Sequence, residues 1–228
     1  MSRGTQTRWV TFDCFGTLVD WQTGFASMIA PLAGDRTSDV VRAYHSSERI
    51  IERETPHRSY KTVLSTALAR AAAARGVRLS ESDARALERS WGSLPIFDDV
   101  ESMLAELRRR GWRLAVLTNC DDDLFEITHR RFRQPFDLFV TAERVRAHKP
   151  APWHFRAFRR LTGVSRCEWV HVACSWYHDI VPAHAHGVQT VWLDRERTGE
   201  DASYASLRVQ STREVAGAVE ALFEGCLV

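Results

Sequence analysis

Little in this chain commits it to a membrane, a nucleic acid or a cross-linked scaffold. None of its apolar runs approaches the roughly 20 residues that a bilayer crossing needs. Net charge is only +2, from 31 Lys and Arg against 29 Asp and Glu, so no field of one sign draws it to nucleic acid or an anionic surface. The five cysteines, at 14, 120, 167, 174 and 226, are odd in number and form no C-x-x-C pair. That argues against a disulfide framework or a zinc site and for a reducing compartment. Arg3 and Arg8 precede an apolar stretch that Asp13 interrupts, so a signal peptide is not expected and a cytoplasmic protein is. Internal repeats and low-complexity segments are also missing.

What is present is ordinary in bulk and patterned in detail. A hydrophobic fraction of 44% with 26% charged residues suits a globular protein, and 228 residues suffice for a core with a smaller insertion. The clusters Arg108–Arg110, Arg130–Arg131 and Arg159–Arg160 fall late in predicted helices, facing solvent and the negative end of the dipole. Strand signals recur at about 8–13, 112–118, 137–141, 168–173, 188–193 and 206–209. Helical signals lie between them at about 99–110, 121–133, 152–162, 178–186 and 211–223, the last opened by a Ser211–Glu214 capping box. This alternation predicts an α/β fold, a Rossmann-like doubly wound parallel sheet with right-handed crossovers. Residues 21–94 break the pattern, with helical pieces at about 38–53, 59–75 and 81–92 and no convincing strand. Gly76 and Ser80 are placed to end one of these helices and cap the next. We expect an inserted all-helical cap domain over 21–94 and a catalytic core from 1–20 and 95–228.

Four polar groups fall at predicted strand ends, where ligands bind in an open α/β sheet. Asp13 closes the first strand in Val10-Thr11-Phe12-Asp13-Cys14-Phe15-Gly16-Thr17-Leu18-Val19-Asp20. Thr118-Asn119 closes the second, Lys149 lies in His148-Lys149-Pro150, and Asp179 follows His171-Val172-Ala173-Cys174-Ser175. An ordinary aspartate is ionised at neutral pH and needs no base to act as a nucleophile. A lysine ammonium within about 4–6 Å would keep it so. Phe15 stands where a phosphoryl-transfer enzyme of this design carries a proton-donating carboxylate. A lone nucleophile without that acid suits displacement at carbon better than phosphate hydrolysis.

Phe12–Asp20, Leu117-Thr118-Asn119, Lys149-Pro150-Ala151-Pro152 and His171–Asp179 occur in the order and spacing of the haloacid dehalogenase superfamily. The chain most resembles its type II 2-haloacid dehalogenase branch. That resemblance implies a metal- and cofactor-independent hydrolase that turns small 2-haloacids into 2-hydroxy acids through an aspartyl ester. Asp13 would be the nucleophile, with Lys149, Thr17 and Asp179 catalytic. Thr118, Asn119, Phe15, Trp21, Ser175 and Trp176 would meet substrate or halide, Asn119 as an amide donor to the halide. The implied partner is a small carboxylate; neither nucleic acid nor membrane is expected, and relatives are often homodimers. Same-mechanism opening of a strained ring such as azetidine-2-carboxylate is the alternative, with His178 or His45 as candidate acid. A magnesium-dependent phosphatase and a catalytically silent binding protein are the remaining readings. The phosphatase reading is opposed by Cys174, five residues before Asp179 at the place of a metal-binding carboxylate. Asp121–Asp123 suit a helix start, and His178, His184 and His186 would splay apart on their helix, so neither group is read as a metal site. The branch also has a substrate-holding arginine early in its first long cap helix, and here Arg42, Arg49 or neither takes its place.

Overall fold

The computed structural model describes residues 7–226, which leaves Arg3 outside. Its six strands are β1 (Trp9–Phe12), β2 (Arg113–Thr118), β3 (Leu138–Thr141), β4 (Trp169–Ala173), β5 (Gln189–Leu193) and β6 (Leu207–Val209). They form one sheet in the order β3-β2-β1-β4-β5-β6, every neighbouring pair parallel. All residues of β1 and β4 are buried, as strands covered on both faces must be. The strand order reverses between β1 and β4, so the crevice beyond their carboxyl ends is the ligand position of such a sheet.

Between β1 and β2 the chain is helical: α1 (Trp21–Ala33), α2 (Thr37–Ile51), α3 (Tyr60–Ala74), α4 (Glu81–Ala84) and α5 (Ala86–Arg89). This excursion holds no named strand among the described residues. Helix α1 is additional to the pieces expected from sequence, where Gly24 and Pro31 weaken its signal. The Asp20 carboxylate caps it, accepting from Thr23 N at 3.1 Å. Gly24 is there because the helix passes so close to Leu94 that a Cβ would lie 2.4 Å from its Cδ2. Ser80 does cap α4, in a box with Asp83, but the helix expected over 81–92 breaks at Arg85 into α4 and α5.

The remaining helices are α6 (Val100–Arg109), α7 (Asp122–His129), α8 (Ala142–Val145), α9 (Trp153–Thr162), α10 (Val181–Ala185) and α11 (Thr212–Cys226). Helix α7 stops four residues short of the expected 133. The helix expected from 178 instead opens with a wide π-helical turn over Trp176–Ile180, which continues into α10. That turn carries Tyr177, His178 and Asp179 toward the crevice.

The cysteine reading needs correction, because Cys167 and Cys226 are disulfide-bonded across 59 residues of sequence. An odd total leaves one cysteine over but does not stop two distant ones from meeting once α11 packs beside β4. Cys14, Cys120 and Cys174 are free. Among the described residues no helix is long and apolar enough to cross a membrane.

Candidate active site

Asp13 stands one residue beyond β1, its amide donating to Val172 O of the neighbouring β4 edge at 3.1 Å. The next turn is tight: Gly16 has φ +95°, and a Cβ there would lie 2.8 Å from Cys174 Sγ. This turn returns Thr17 beneath the carboxylate. The Thr17 hydroxyl donates to Asp13 Oδ2 at 2.9 Å and accepts from Cys174 N at 2.9 Å, tying β1's end to β4's.

The other carboxylate oxygen faces Lys149, one of only two lysines in the chain. Lys149 Nζ donates to Asp13 Oδ1 at 2.8 Å, Asp179 Oδ1 at 2.7 Å and Leu117 O at 2.8 Å. All three donors of the ammonium are thereby used. Burial disfavours its charge, but the two aspartates outweigh that and hold it protonated. Burial also raises the Asp13 pKa above the usual carboxylate value, with Lys149 opposing. Asp179 moves the other way, to about 2: burial penalises its charge, while Lys149 and His171 more than offset this. His171 lies inside β4, with Nε2 at 2.9 Å from Asp179 Oδ1 and Nδ1 at 2.9 Å from Thr11 Oγ1. Asp179 Oδ2 is buried with no hydrogen-bond partner among the described residues.

These groups open on a cavity of about 480 Å³, whose wall includes Phe15, Trp21, Thr118, Asn119, Ser175 and Trp176. All ten residues singled out from sequence thus gather in one place, Thr17 through its bond to Asp13. Several are oriented in ways sequence did not indicate. The Asn119 amide donates to Glu52 Oε1 at 2.9 Å and Lys149 O at 3.1 Å, which uses both its hydrogens. The Trp176 indole donates to Asp201 O at 3.0 Å. Of the two candidate arginines, Arg42 is exposed and pairs with Asp39, whereas Arg49 lines the cavity. Arg49 Nε is buried without a partner among the described residues, and its guanidinium lies 4.8 Å from the Tyr177 ring centroid.

Sequence reasoning missed the acidic wall of the cavity. Glu48 and Glu52 come from α2 and the residue just past its end; Glu48 is buried and the Glu52 side chain is largely covered. Glu48 Oε1 accepts from the Tyr44 and Tyr60 hydroxyls at 3.0 and 2.6 Å, and Oε2 lies 3.3 Å from His45 Nδ1. Glu52 instead meets His178, Oε2 to Nε2 at 3.1 Å. The available signal was the spacing 45, 48, 49, 52, a polar stripe on one helical face.

The donor set does not suit magnesium. Both Asp13 oxygens are engaged, Lys149 bridges the two aspartates, and burial keeps the Cys174 thiol protonated. A neutral thiol is a poor ligand for a hard cation. Among the described residues no three His, Cys, Asp or Glu converge on a metal position. Asp121 instead receives Tyr60 N and Lys61 N at 2.8 and 3.0 Å, pinning the start of α3 to the core. Asp122 pairs with Arg144, and Asp123 with Lys61.

A doubly wound parallel sheet with a carboxylate–ammonium–carboxylate centre at its switch point defines a class of Rossmann-like hydrolases. The description of haloacid dehalogenase-like hydrolase matches residues 7–187, and the chain belongs to that family. One 135-residue stretch is 35% identical to phosphoserine phosphatase of Thermus thermophilus, covering 58% of this chain and 54% of that protein. Another, of 117 residues, is 29% identical to haloacetate dehalogenase H-2 of Moraxella sp., covering 50% and 52%. The chain therefore spans about half the length of the curated relatives it matches. Among solved structures, an L-2-haloacid dehalogenase superposes with TM-score 0.85 at 24% identity, over 95% of this chain and 100% of the other. The L-2-haloacid dehalogenase of Xanthobacter autotrophicus gives 0.84 at 18% identity, over 94% and 99%. At these identities the structures establish the fold.

Proposed function

We propose that the protein hydrolyses small 2-substituted carboxylic acids by displacement at carbon, with 2-haloacids the simplest substrates and 2-hydroxy acids the products. The observation that carries this reading is the Lys149 ammonium held between Asp13 and Asp179, with Phe15 where a phosphatase would need an acid. Curated dehalogenases among the relatives support the same chemistry.

Arg49 is a cavity cation without a salt-bridge partner among the described residues, and it would receive the substrate carboxylate. Phe15 and Trp21 form an apolar slot beside it for the alkyl part. Asp13, planar and fixed by Thr17 and Lys149, attacks the substituted carbon from the side opposite the leaving group. The carbon–oxygen bond forms, the carbon–halogen bond breaks with its electron pair, and halide departs unprotonated. Water then attacks the ester carbonyl. Asp179 would take a proton from it through the unpartnered Oδ2 and pass one to the departing product oxygen, the remaining proton leaving to solvent as the Asp13 carboxylate is restored, and Lys149 offsets the charge that develops.

The test is L-2-chloropropionate with excess enzyme and EDTA, following chloride and the mass of the peptide that contains Asp13, with Asp179→Asn used to slow ester hydrolysis. Chloride release with a 1-carboxyethyl ester on Asp13 is expected. Phosphate-ester hydrolysis that magnesium restores after EDTA, with no chloride or adduct, would overturn the reading.

A further inference from the structure

A second cavity, of about 280 Å³, opens away from Asp13. Val188 in its wall immediately precedes β5 and so lies at the amino end of that strand, whereas Asp13 stands beyond the carboxyl end of β1. Phe155, Arg156, Arg159, Arg160 and His186 complete the wall. Sequence alone set Arg159 and Arg160 against the negative end of a helix dipole, but the end of α9 is closed by other groups. Gly163 N donates to Arg159 O at 2.9 Å, and the Thr162 hydroxyl donates to Phe158 O at 2.8 Å. Arg156 is the fourth of the ten residues of α9, too far from the last turn to meet the dipole.

No ion pair reaches any of the three arginines among the described residues. Two of them are held by aromatic faces instead. The Arg156 guanidinium carbon lies 5.1 Å from the Trp153 ring centroid, and that of Arg159 lies 5.5 Å from the Trp169 centroid. A guanidinium held by its face keeps its N–H donors in its own plane, where they can meet an oxyanion edge-on. Arg159 uses one of them on His186 O, at 3.5 Å. The positive field is felt within the cavity. Burial lowers the His186 pKa, and Arg156 and Arg159 lower it further.

We propose that this cavity binds the phosphate group of a small organic phosphate, whose organic part lies against the apolar wall of Phe155 and Val188. A carboxylate would offer two oxygens and one charge. A phosphate monoester offers three terminal oxygens and close to two charges, a match for three guanidinium forks. The site is separate from the Asp13 centre, and the proposal does not rest on the chemistry there.

Phenyl phosphate, inorganic phosphate and benzoate are the probes, each titrated calorimetrically into the whole protein. Phenyl phosphate should bind most tightly, because inorganic phosphate lacks the ring and benzoate the second charge. Arg156→Gln/Arg159→Gln should weaken it by at least about 10-fold, through the loss of charge-assisted contacts. Arg75→Gln/Arg78→Gln removes the same charge from exposed cap positions and should leave binding unchanged. Arg49→Met, which strips a guanidinium from the Asp13 cavity, should leave it unchanged too. No binding at roughly millimolar phenyl phosphate, or equal losses in the two charge-matched pairs, would overturn the proposal. So would a loss in Arg49→Met alone, which would put the phosphate beside Asp13. Inorganic phosphate bound as tightly as phenyl phosphate would overturn the organic part of the ligand.

Discussion

Asp13 is held by opposing forces: burial favours its neutral acid, and Lys149 favours the carboxylate that must attack. Asp13→Asn should reduce turnover to below roughly a thousandth, about 4 kcal/mol of barrier, checked by single-turnover kinetics. Lys149→Met should be nearly as severe in kcat and also cost roughly 3–5 kcal/mol in urea unfolding, since it leaves two buried carboxylates facing each other. Gly16 is the other residue with little freedom. Its φ of +95° and the nearby Cys174 Sγ make Gly16→Ala strained twice over. That substitution should lower stability by at least about 1–2 kcal/mol and impair kcat by displacing Thr17, both readable in one purified variant.

Among the elements, α2 carries the most that sequence did not disclose. The six strands fall within a residue or two of their sequence-derived bounds, because apolar, β-branched runs buried on both faces have few alternative readings. Helices α6 and α9 were as legible, whereas α7 ends four residues early and the helix expected from 178 opens as a π-helical turn. Helix α1 was not legible, since Gly24 and Pro31 speak against a helix until Leu94 is seen to need the space. Helix α2 was legible only as a choice among Arg42, Arg49 or neither. Which face looks into the cavity depends on packing against loops more than 60 residues away, and so does the partnership of Glu52 with Asn119 and His178. The floor of the site was clear because each of its polar groups ends a strand. Arg49→Met should raise KM for a carboxylate substrate by roughly 10–100-fold, the loss of one charge-assisted contact, with a smaller change in kcat. An unchanged KM in steady-state assays would remove Arg49 from substrate binding.

At the scale of the molecule, two features govern stability. The Cys167–Cys226 bridge closes a 59-residue separation that contains β4, β5, β6 and Asp179. Loop-closure entropy for that length is about 4 kcal/mol, so reduction should lower the urea midpoint visibly, and Cys167→Ser should reproduce the effect. The second feature is acid lability. His148 and His154 are buried with pKa values lowered to about 4 and about 3, burial being the main cause in each. Unfolded, they titrate near 6.5, so below that pH the unfolded chain binds more protons. Their contribution is complete above about pH 6.5 and is lost as pH falls toward 4. Unfolding free energy measured across that window should decline, and His154→Gln should flatten the decline.

The two oxygens of Asp13 have different keepers, Oδ1 the Lys149 ammonium and Oδ2 the Thr17 hydroxyl. A carboxylate so gripped should not rotate between turnovers. The same oxygen would leave with every product and be replaced from water, while its twin stays for the life of the protein. After many cycles in heavy-oxygen water, Asp13 should carry one heavy atom and one original. The residue would keep an isotopic record of which side of it reacts.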